Sequence, residues 1–276
     1  MNWLDSMLPP AIRGPLLDQR LARVPTRCNE FGYDPFGFHR EEARIAIRLA
    51  GWLYHTYFRV QVFGIEQVPP GRVLLVANHS GQLPFDALAI IMAMFVEAEP
   101  PRLCRAMVEK FIPRAPFVSY LFARWGQIVG TPENCLRLLE EEEAILVFPE
   151  GVRGISKPFY RKYQLCEFGT GFLRLALQTG APVVPVALIG AEEQAPAINL
   201  KPLARLLRLP SLPLVVTPPF VPLPYPVKYR IHVGEPIRPV GDPDDEEAVA
   251  EQVRAVRSTV QTLVHIGLKE RRHVFW

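Results

Sequence analysis

Three apolar segments with the length of buried β-strands alternate with segments that have the composition of helices. Strands are predicted at "RVLLVAN", "AILVFP" and "PVVPVALIG", and helices at "PFDALAIIMAMFV", "TPENCLRLLEEEE" and "TGFLRLALQTG". Thr131 is a suitable N-cap for the second helix, and Gly180 is a suitable stop for the third. The alternation predicts an α/β fold with a mainly parallel twisted sheet flanked by helices.

An N-terminal helical extension precedes this alternation. We predict an irregular segment and an amphipathic helix over residues 1–58, and an α/β domain over residues 59–276. The helix "EEARIAIRLAGWLYHTYF" has a narrow polar stripe, and the rest of its surface is aliphatic or aromatic, including Trp52, Tyr54 and Phe58. Such a helix is either packed into a core or lies in a membrane interface with its aromatic rings at headgroup depth.

The composition favours a protein attached to a membrane surface over one that crosses a membrane. The mean hydropathy is +0.10 and hydrophobic residues make up 49% of the chain, yet the apolar run "ALAIIMAMFV" is only about half a membrane span. The Pro- and Leu-rich residues 196–227 are either a membrane-facing loop or a buried crossover. The first apolar patch is interrupted by Asp5 and does not have the pattern of a signal peptide. We therefore expect peripheral, monotopic attachment to the cytoplasmic face of a membrane.

Composition also excludes some functions. A net charge of +3 is too small to indicate nucleic-acid binding. The four cysteines are widely spaced and form no CxxC pair, so neither a zinc site nor a redox site is expected. No metal and no cofactor are predicted, and oligomeric state is left open.

Polar residues collect where two of the predicted strands end. "NHSGQLPFD" places His79 just after the first strand and Asp86 seven residues later, and "FPEGVRG" follows another strand. Carboxyl ends of parallel strands share one edge of a sheet, so the two loops should line one pocket. An imidazole can take a proton from a hydroxyl near neutral pH, and a carboxylate can orient it. No GxSxG motif is present, so a covalent hydrolase is poorly supported.

The pairing of "NHSGQLPFD", "FPEGVRG" and "VPVALIG", in that order, resembles the glycerolipid acyltransferase superfamily, whose best-known members acylate lysophosphatidic acid. The resemblance covers about residues 60–240. It implies acyl transfer from acyl-CoA or acyl carrier protein, as co-substrate, to a lipid hydroxyl, without metal. It also implies that His79 is the general base and Asp86 its partner. The implied acceptor-side residues are Phe148, Pro149, Glu150, Gly151 and Arg153. Lys157 belongs to a local basic cluster that follows this motif, and we expect it to supplement Arg153 in substrate binding.

The sequence departs from the family pattern at three points. Six residues separate His79 from Asp86, where the family has four. Thr131 lies near the place of a phosphate-binding arginine, and Thr170 lies where many members carry lysine. The departures weaken the case for a lysophosphatidic acid acceptor and leave acyl transfer standing. The alternatives are a neutral-lipid acyltransferase that uses diacylglycerol or an alcohol, a non-catalytic lipid-binding relative, and a thioester hydrolase.

Overall fold

The structure is a computed structural model. It describes residues 3–79, 84–108, 117–155, 157–194, 197–199, 213–215 and 224–275. Most of the Pro- and Leu-rich segment 196–227 lies outside these ranges, so the two interpretations of that segment stay predictions. In the described part of the chain, no helix combines the length and the apolar character needed to cross a membrane.

A seven-stranded sheet forms the centre of the described residues. Its strands are β1 (Gln61–Phe63), β2 (Val73–Ala77), β3 (Cys104–Val108), β4 (Ile128–Val129), β5 (Ala144–Val147), β6 (Val183–Ile189) and β9 (Arg230–Val233). Their order across the sheet is β1-β9-β6-β2-β5-β3-β4, and every neighbouring pair is parallel except β6 and β9. The predicted mainly parallel sheet is confirmed. A separate antiparallel pair consists of β7 (Ala197–Asn199) and β8 (Pro213–Val215).

Helices cover both faces of the sheet. They are α1 (Trp3–Ser6), α2 (Leu16–Ala22), α3 (Arg40–Trp52), α4 (Phe85–Val96), α5 (Val118–Arg124), α6 (Pro132–Glu140), α7 (Val152–Ile155), α8 (Gly171–Thr179), α9 (Ala191–Gln194) and α10 (Glu246–Glu270). Side chains of a strand alternate between its two faces, so Leu75 packs into the core beneath α3 and α4, whereas Leu74 and Val76 pack beneath α6, α8 and α10. The central strand β2 is thus buried on both sides.

Two predicted helix ends are confirmed by local geometry. The Thr131 side chain accepts a hydrogen bond from the backbone N–H of Asn134, which satisfies a donor that the first turn of α6 leaves open. At the end of α8, Gly180 adopts φ 67°, a left-handed conformation that glycine takes without steric cost.

The N-terminal segment packs into the same core as the α/β part. Arg20 of α2 donates to the Ala98 carbonyl at 2.7 Å and to the Glu99 carboxylate at 2.8 Å, just beyond α4. Leu17 and Leu21 are buried in the core that also contains β2 and α4. The boundary between residues 58 and 59 stays a prediction.

The interfacial interpretation of the aromatic face of α3 and its extension is wrong for two of its residues. Tyr54 and Phe58 are 2% and 0% exposed. Phe58 stacks on Tyr229 with ring centroids 4.3 Å apart, and Tyr54 donates to Glu97 at 3.3 Å. A helix that is apolar on most sides can be covered in part by the rest of its own chain, and Tyr54 and Phe58 are covered in this way.

Candidate active site

The site lies where β2 and β5 end side by side. Val76 of β2 pairs with Val147 of β5 in parallel register, so the loops that follow leave the sheet at the same edge. His79 lies in the first of these loops and Phe148 begins the second. Their rings stack with centroids 4.3 Å apart and an angle of 20° between planes. The two loops therefore meet, as the sequence predicted.

The His79 imidazole contacts the Asp86 carboxylate. Nδ1 lies 2.7 Å from Oδ2, the Asp86 side chain is 0% exposed, and the His79 side chain is 20% exposed. Asp86 lies in the first turn of α4, which begins directly after Pro84. The predicted contact is present despite the longer spacing. Residues 80–83, which belong to the longer connection between His79 and Asp86, lie outside the described residues.

This contact fixes which ring nitrogen is available. If Nδ1 donates to the buried carboxylate, the neutral imidazole carries its lone pair on Nε2. The carboxylate also stabilises the imidazolium that forms when Nε2 accepts a proton. An oriented base whose side chain is partly exposed is the arrangement that deprotonation of a hydroxyl requires.

The buried Glu150 side chain holds the backbone of the His79 loop. It is 1% exposed. Its Oε1 accepts the backbone N–H of His79 at 3.0 Å, and its Oε2 accepts the backbone N–H of Cys166 at 2.7 Å. The structure thus places Glu150 against the backbone of the His79 loop rather than on an open surface.

Two glycines allow the loops to approach this closely. Gly151 has φ 56° and closes a turn in which its N–H donates to the Phe148 carbonyl. A Cβ on Gly154 would lie 2.9 Å from the Cβ atoms of both Glu150 and His79. The carbonyl of Pro149 accepts the N–H of Gly169, which ties the same loop to the segment before α8.

The two predicted cations of the acceptor side differ in their surroundings. Arg153 is exposed, and its Nη2 donates to the carbonyl of Glu167 at 2.9 Å. The Lys157 side chain is only 6% exposed, and its Nζ lies 3.1 Å from Glu192, 3.4 Å from Glu150 and 3.2 Å from the Gln164 carbonyl. Lys157 is therefore enclosed by oxygen atoms of the chain itself.

Sequence reasoning assigned no role to two residues that shape the site. The buried side chain of Asn78 bonds both the N–H and the carbonyl of Leu188 on β6, at 2.7 and 3.0 Å. Glu192 pairs with Lys157. Both residues follow a buried strand directly or closely, as His79 and Glu150 do, and that placement was the available signal.

The neighbouring thiol does not supply a nucleophile. Burial and the nearby Glu150 raise the pKa of Cys166 above its ordinary value, so the thiol stays protonated at neutral pH. Among the described residues, no group of three His, Cys, Asp or Glu side chains could hold a metal ion.

The comparisons with known proteins identify the class of protein to which this fold and site belong. The acyltransferase family profile matches residues 59–189, which include both loops of the site. The chain belongs to this acyltransferase family and is an acyltransferase.

Sequence and structure comparisons also identify individual proteins that are similar to this chain. An uncharacterized protein of Mycobacterium leprae is 38% identical in an alignment of 274 positions that covers 94% of this chain and 72% of the relative. The human "DGAT1/2-independent enzyme synthesizing storage lipids" is 25% identical in an alignment that covers 77% of this chain and 62% of the human protein. The crystal structure of the 1-acyl-sn-glycerophosphate (LPA) acyltransferase PlsC from Thermotoga maritima has the same fold. It superposes with a TM-score of 0.56 and 23% identity, over 85% of this chain and 80% of that one.

Proposed function

We propose that the protein moves a fatty acyl group from an acyl thioester, either acyl-CoA or acyl carrier protein, to a lipid hydroxyl. The observation that carries the proposal is the 2.7 Å contact between His79 Nδ1 and the fully buried Asp86. The base and its orienting carboxylate both come from the chain, so the proposed chemistry needs no metal.

In the proposed reaction, His79 Nε2 removes the proton of the acceptor hydroxyl as its oxygen attacks the thioester carbonyl carbon. The new C–O bond forms, and the carbonyl electrons move onto oxygen in a tetrahedral intermediate. Collapse breaks the C–S bond, and the imidazolium returns its proton to the leaving thiolate. Asp86 stabilises the imidazolium between these two steps.

The proposed acceptor is a lysophospholipid or a related glycerolipid. Arg153 supports a phosphorylated acceptor, because it is the exposed cation of the predicted acceptor side and can make paired hydrogen bonds to phosphate. A neutral lipid is the second candidate. It is favoured by Thr131, which caps α6 in place of a phosphate-binding arginine, and by the enclosure of Lys157.

We also propose peripheral attachment to the cytoplasmic face of a membrane. The support is a pair of neighbouring helices, α3 and α5, joined by a 3.2 Å hydrogen bond between Tyr120 and Glu42. Ile45 and Leu49 of α3 are 74% and 63% exposed, and Phe117 at the start of α5 is 82% exposed. Val118 and Leu121 are exposed on α5 as well. Exposed apolar side chains on neighbouring helices are typical of a lipid- or protein-binding surface.

Thiol release, measured with and without acceptor lipids, tests the reaction. Release that requires an acceptor supports transfer, release without one indicates a thioester hydrolase, and no release under either condition indicates a lipid-binding protein. His79→Ala should lower turnover by about 10²–10⁴-fold, the loss expected for a general base. A variant with near-wild-type turnover would remove the mechanism. Mass spectrometry of co-purifying lipids would identify acceptor candidates.

Co-sedimentation with anionic phospholipid vesicles tests the attachment. The double variant Ile45→Asp, Leu49→Asp should lose most binding, because two charges would enter the apolar interface. Ile266→Asp, on an exposed position of α10, is the matched control and should bind as wild type does. The absence of vesicle binding by the wild-type protein would refute the attachment.

A further inference from the structure

Three buried charged side chains lie directly behind the His79 loop. Lys157 Nζ is 3.4 Å from Glu150 Oε2 and 3.1 Å from Glu192 Oε1, and the three side chains are 6%, 0% and 7% exposed. We call Glu150, Lys157 and Glu192 the buried triad. Burying charges is costly unless they are paired, so three of them in one place require an explanation.

The charges of the buried triad depend on one another. Burial lowers the pKa of Lys157, but Glu192 and Glu150 more than offset this, and the pKa lies above its ordinary value. Burial raises the pKa of Glu192, and the Lys157 ammonium opposes that shift. Lys157 is therefore charged at neutral pH, and it is the cation that allows two carboxylates to share this space.

The buried triad joins three separate parts of the chain. Glu150 follows β5, Lys157 follows α7, and Glu192 lies at the start of α9, directly beyond β6. The second oxygen of Glu192 accepts the backbone N–H of Tyr163 at 2.8 Å. Glu192 is thus attached at two points: its backbone directly follows β6, and its side chain bonds Tyr163 in the loop over residues 157–166. These two attachments hold Glu192 in place beside Lys157.

The buried triad is connected to His79 through Glu150. Glu150 Oε1 holds the His79 backbone N–H, while Oε2 receives both Lys157 and the N–H of Cys166. A shift of Glu150 would therefore move the His79 backbone. The His79 ring contacts Asp86, which lies on a different element, at 2.7 Å. A small shift of the His79 backbone would therefore change the distance between the ring and the carboxylate that orients it.

We propose that Lys157 and Glu192 are positioning residues for the acyl-transfer reaction: they hold Glu150 in place, and Glu150 holds the backbone of the general base. This inference rests on the proposed function. It assigns Lys157 to the support of His79 instead of to the acceptor phosphate. It also assigns a role to Glu192, which none of the motifs quoted above contains.

Two substitutions test the proposal, with a matched control. Glu192→Gln keeps the size of the side chain, leaves Glu150 as the one carboxylate of the buried triad beside Lys157, and weakens the attachment of Lys157 to α9. Lys157→Met removes the cation and could prevent folding, so Glu192→Gln is the decisive variant. Lys162→Met is the control. Lys162 lies on the same loop, but its side chain is 40% exposed and its Nζ is as far as 3.9 Å from the Glu193 carboxylate, so its ion pair is weak.

The kinetic readout separates positioning from binding. For Glu192→Gln we expect kcat to fall by about tenfold or more, since small displacements of a catalytic group have large effects on rate. The acceptor KM should stay within about threefold. Lys157→Met should show the same pattern, and Lys162→Met should behave as wild type. A Lys157→Met variant with a raised acceptor KM and an unchanged kcat would show that Lys157 binds the acceptor, and the proposal would be overturned.

A second readout does not depend on activity. Amide hydrogen exchange of the ligand-free protein should be about tenfold faster or more at the N–H groups of His79 and Cys166 in Glu192→Gln, with Val73–Ala77 unchanged. Equal acceleration throughout β2 would indicate a general loss of stability, and unchanged exchange at both amides would indicate that Glu192 does not hold them. Either result overturns the proposal. If the wild-type protein transfers no acyl group, the proposed function fails, whereas the exchange experiment still decides whether the buried triad holds His79.

Discussion

A single methyl group at residue 154 should disturb the proposed general base without touching its side-chain chemistry. A Cβ at Gly154 would lie 2.9 Å from the Cβ of Glu150, from the Cβ of His79 and from the carbonyl oxygen of His79. Ordinary contacts begin near 3.4 Å, so His79, Glu150 or Gly154 must move by about 0.5 Å to relieve these contacts fully. The backbone itself would accept alanine, because Gly154 lies in the helix α7.

The magnitude follows from two opposing terms. Overpacking of a tight contact costs about 1–3 kcal/mol. Alanine is better than glycine in a helix by about 1 kcal/mol. The net loss of unfolding free energy for Gly154→Ala should therefore be about 0–2 kcal/mol, and the protein should still fold. A misplacement of about 1 Å can cost about 100-fold in rate, so a shift of half that size should lower kcat by about tenfold or more.

The assay is steady-state acyl transfer, with thermal unfolding measured on the same samples. Gly171→Ala is the control: Gly171 is the first residue of α8, and a Cβ there would meet nothing within 4 Å. This control should keep wild-type turnover and stability. A Gly154→Ala variant with wild-type kcat would refute the reasoning, because the three predicted contacts would then have been relieved without moving His79.

Three further predictions concern residues around the site and the far edge of the sheet. Asn78→Leu should lose about 1–3 kcal/mol of unfolding free energy for each of the two Leu188 backbone groups it leaves unbonded, measured by urea unfolding; a loss under about 0.5 kcal/mol would contradict it. Burial lowers the pKa of His232, so the unfolded chain takes up a proton near pH 6.5 while the folded protein does not. Unfolding free energy should therefore fall as the pH drops below about 6.5, and His232→Gln should flatten that slope; an unchanged slope in the variant would contradict the prediction. Arg153→Lys should raise the KM of a phosphorylated acceptor and leave that of a neutral one unchanged; equal changes for both acceptors would make Arg153 a structural residue.

The elements of the sheet were predictable because buried strands and capped helices leave local patterns. Thr131 before Pro132 and Gly180 after α8 mark helix ends in the sequence and in the structure alike. The contact of His79 with Asp86 was also predictable, because one residue follows a strand and the other begins the next helix. These features depend on neighbours within a few residues.

Features that depend on the path of distant segments were not predictable in the same way. Lys157 was expected to face the acceptor, and its partner Glu192 lies 35 residues further along the chain, so no local pattern connects them. Tyr54 and Phe58 could be either buried or interfacial by composition alone. Their burial depends on the packing of Phe58 against Tyr229, which comes from the other end of the chain. Non-local packing of this kind overrides what a helix shows by itself.

The bonds that hold the His79 loop have a consequence for refolding. The His79 amide is tied to a carboxylate 71 residues away, and the neighbouring Asn78 is tied to a backbone 110 residues away. Contacts of high sequence separation require large loops to close first, and parallel strands form such contacts slowly. After dilution from denaturant, helical circular dichroism should therefore return before enzymatic activity does. The last species to form should be the one in which β2, β5 and β6 have all found their neighbours, and only that species can carry out the reaction.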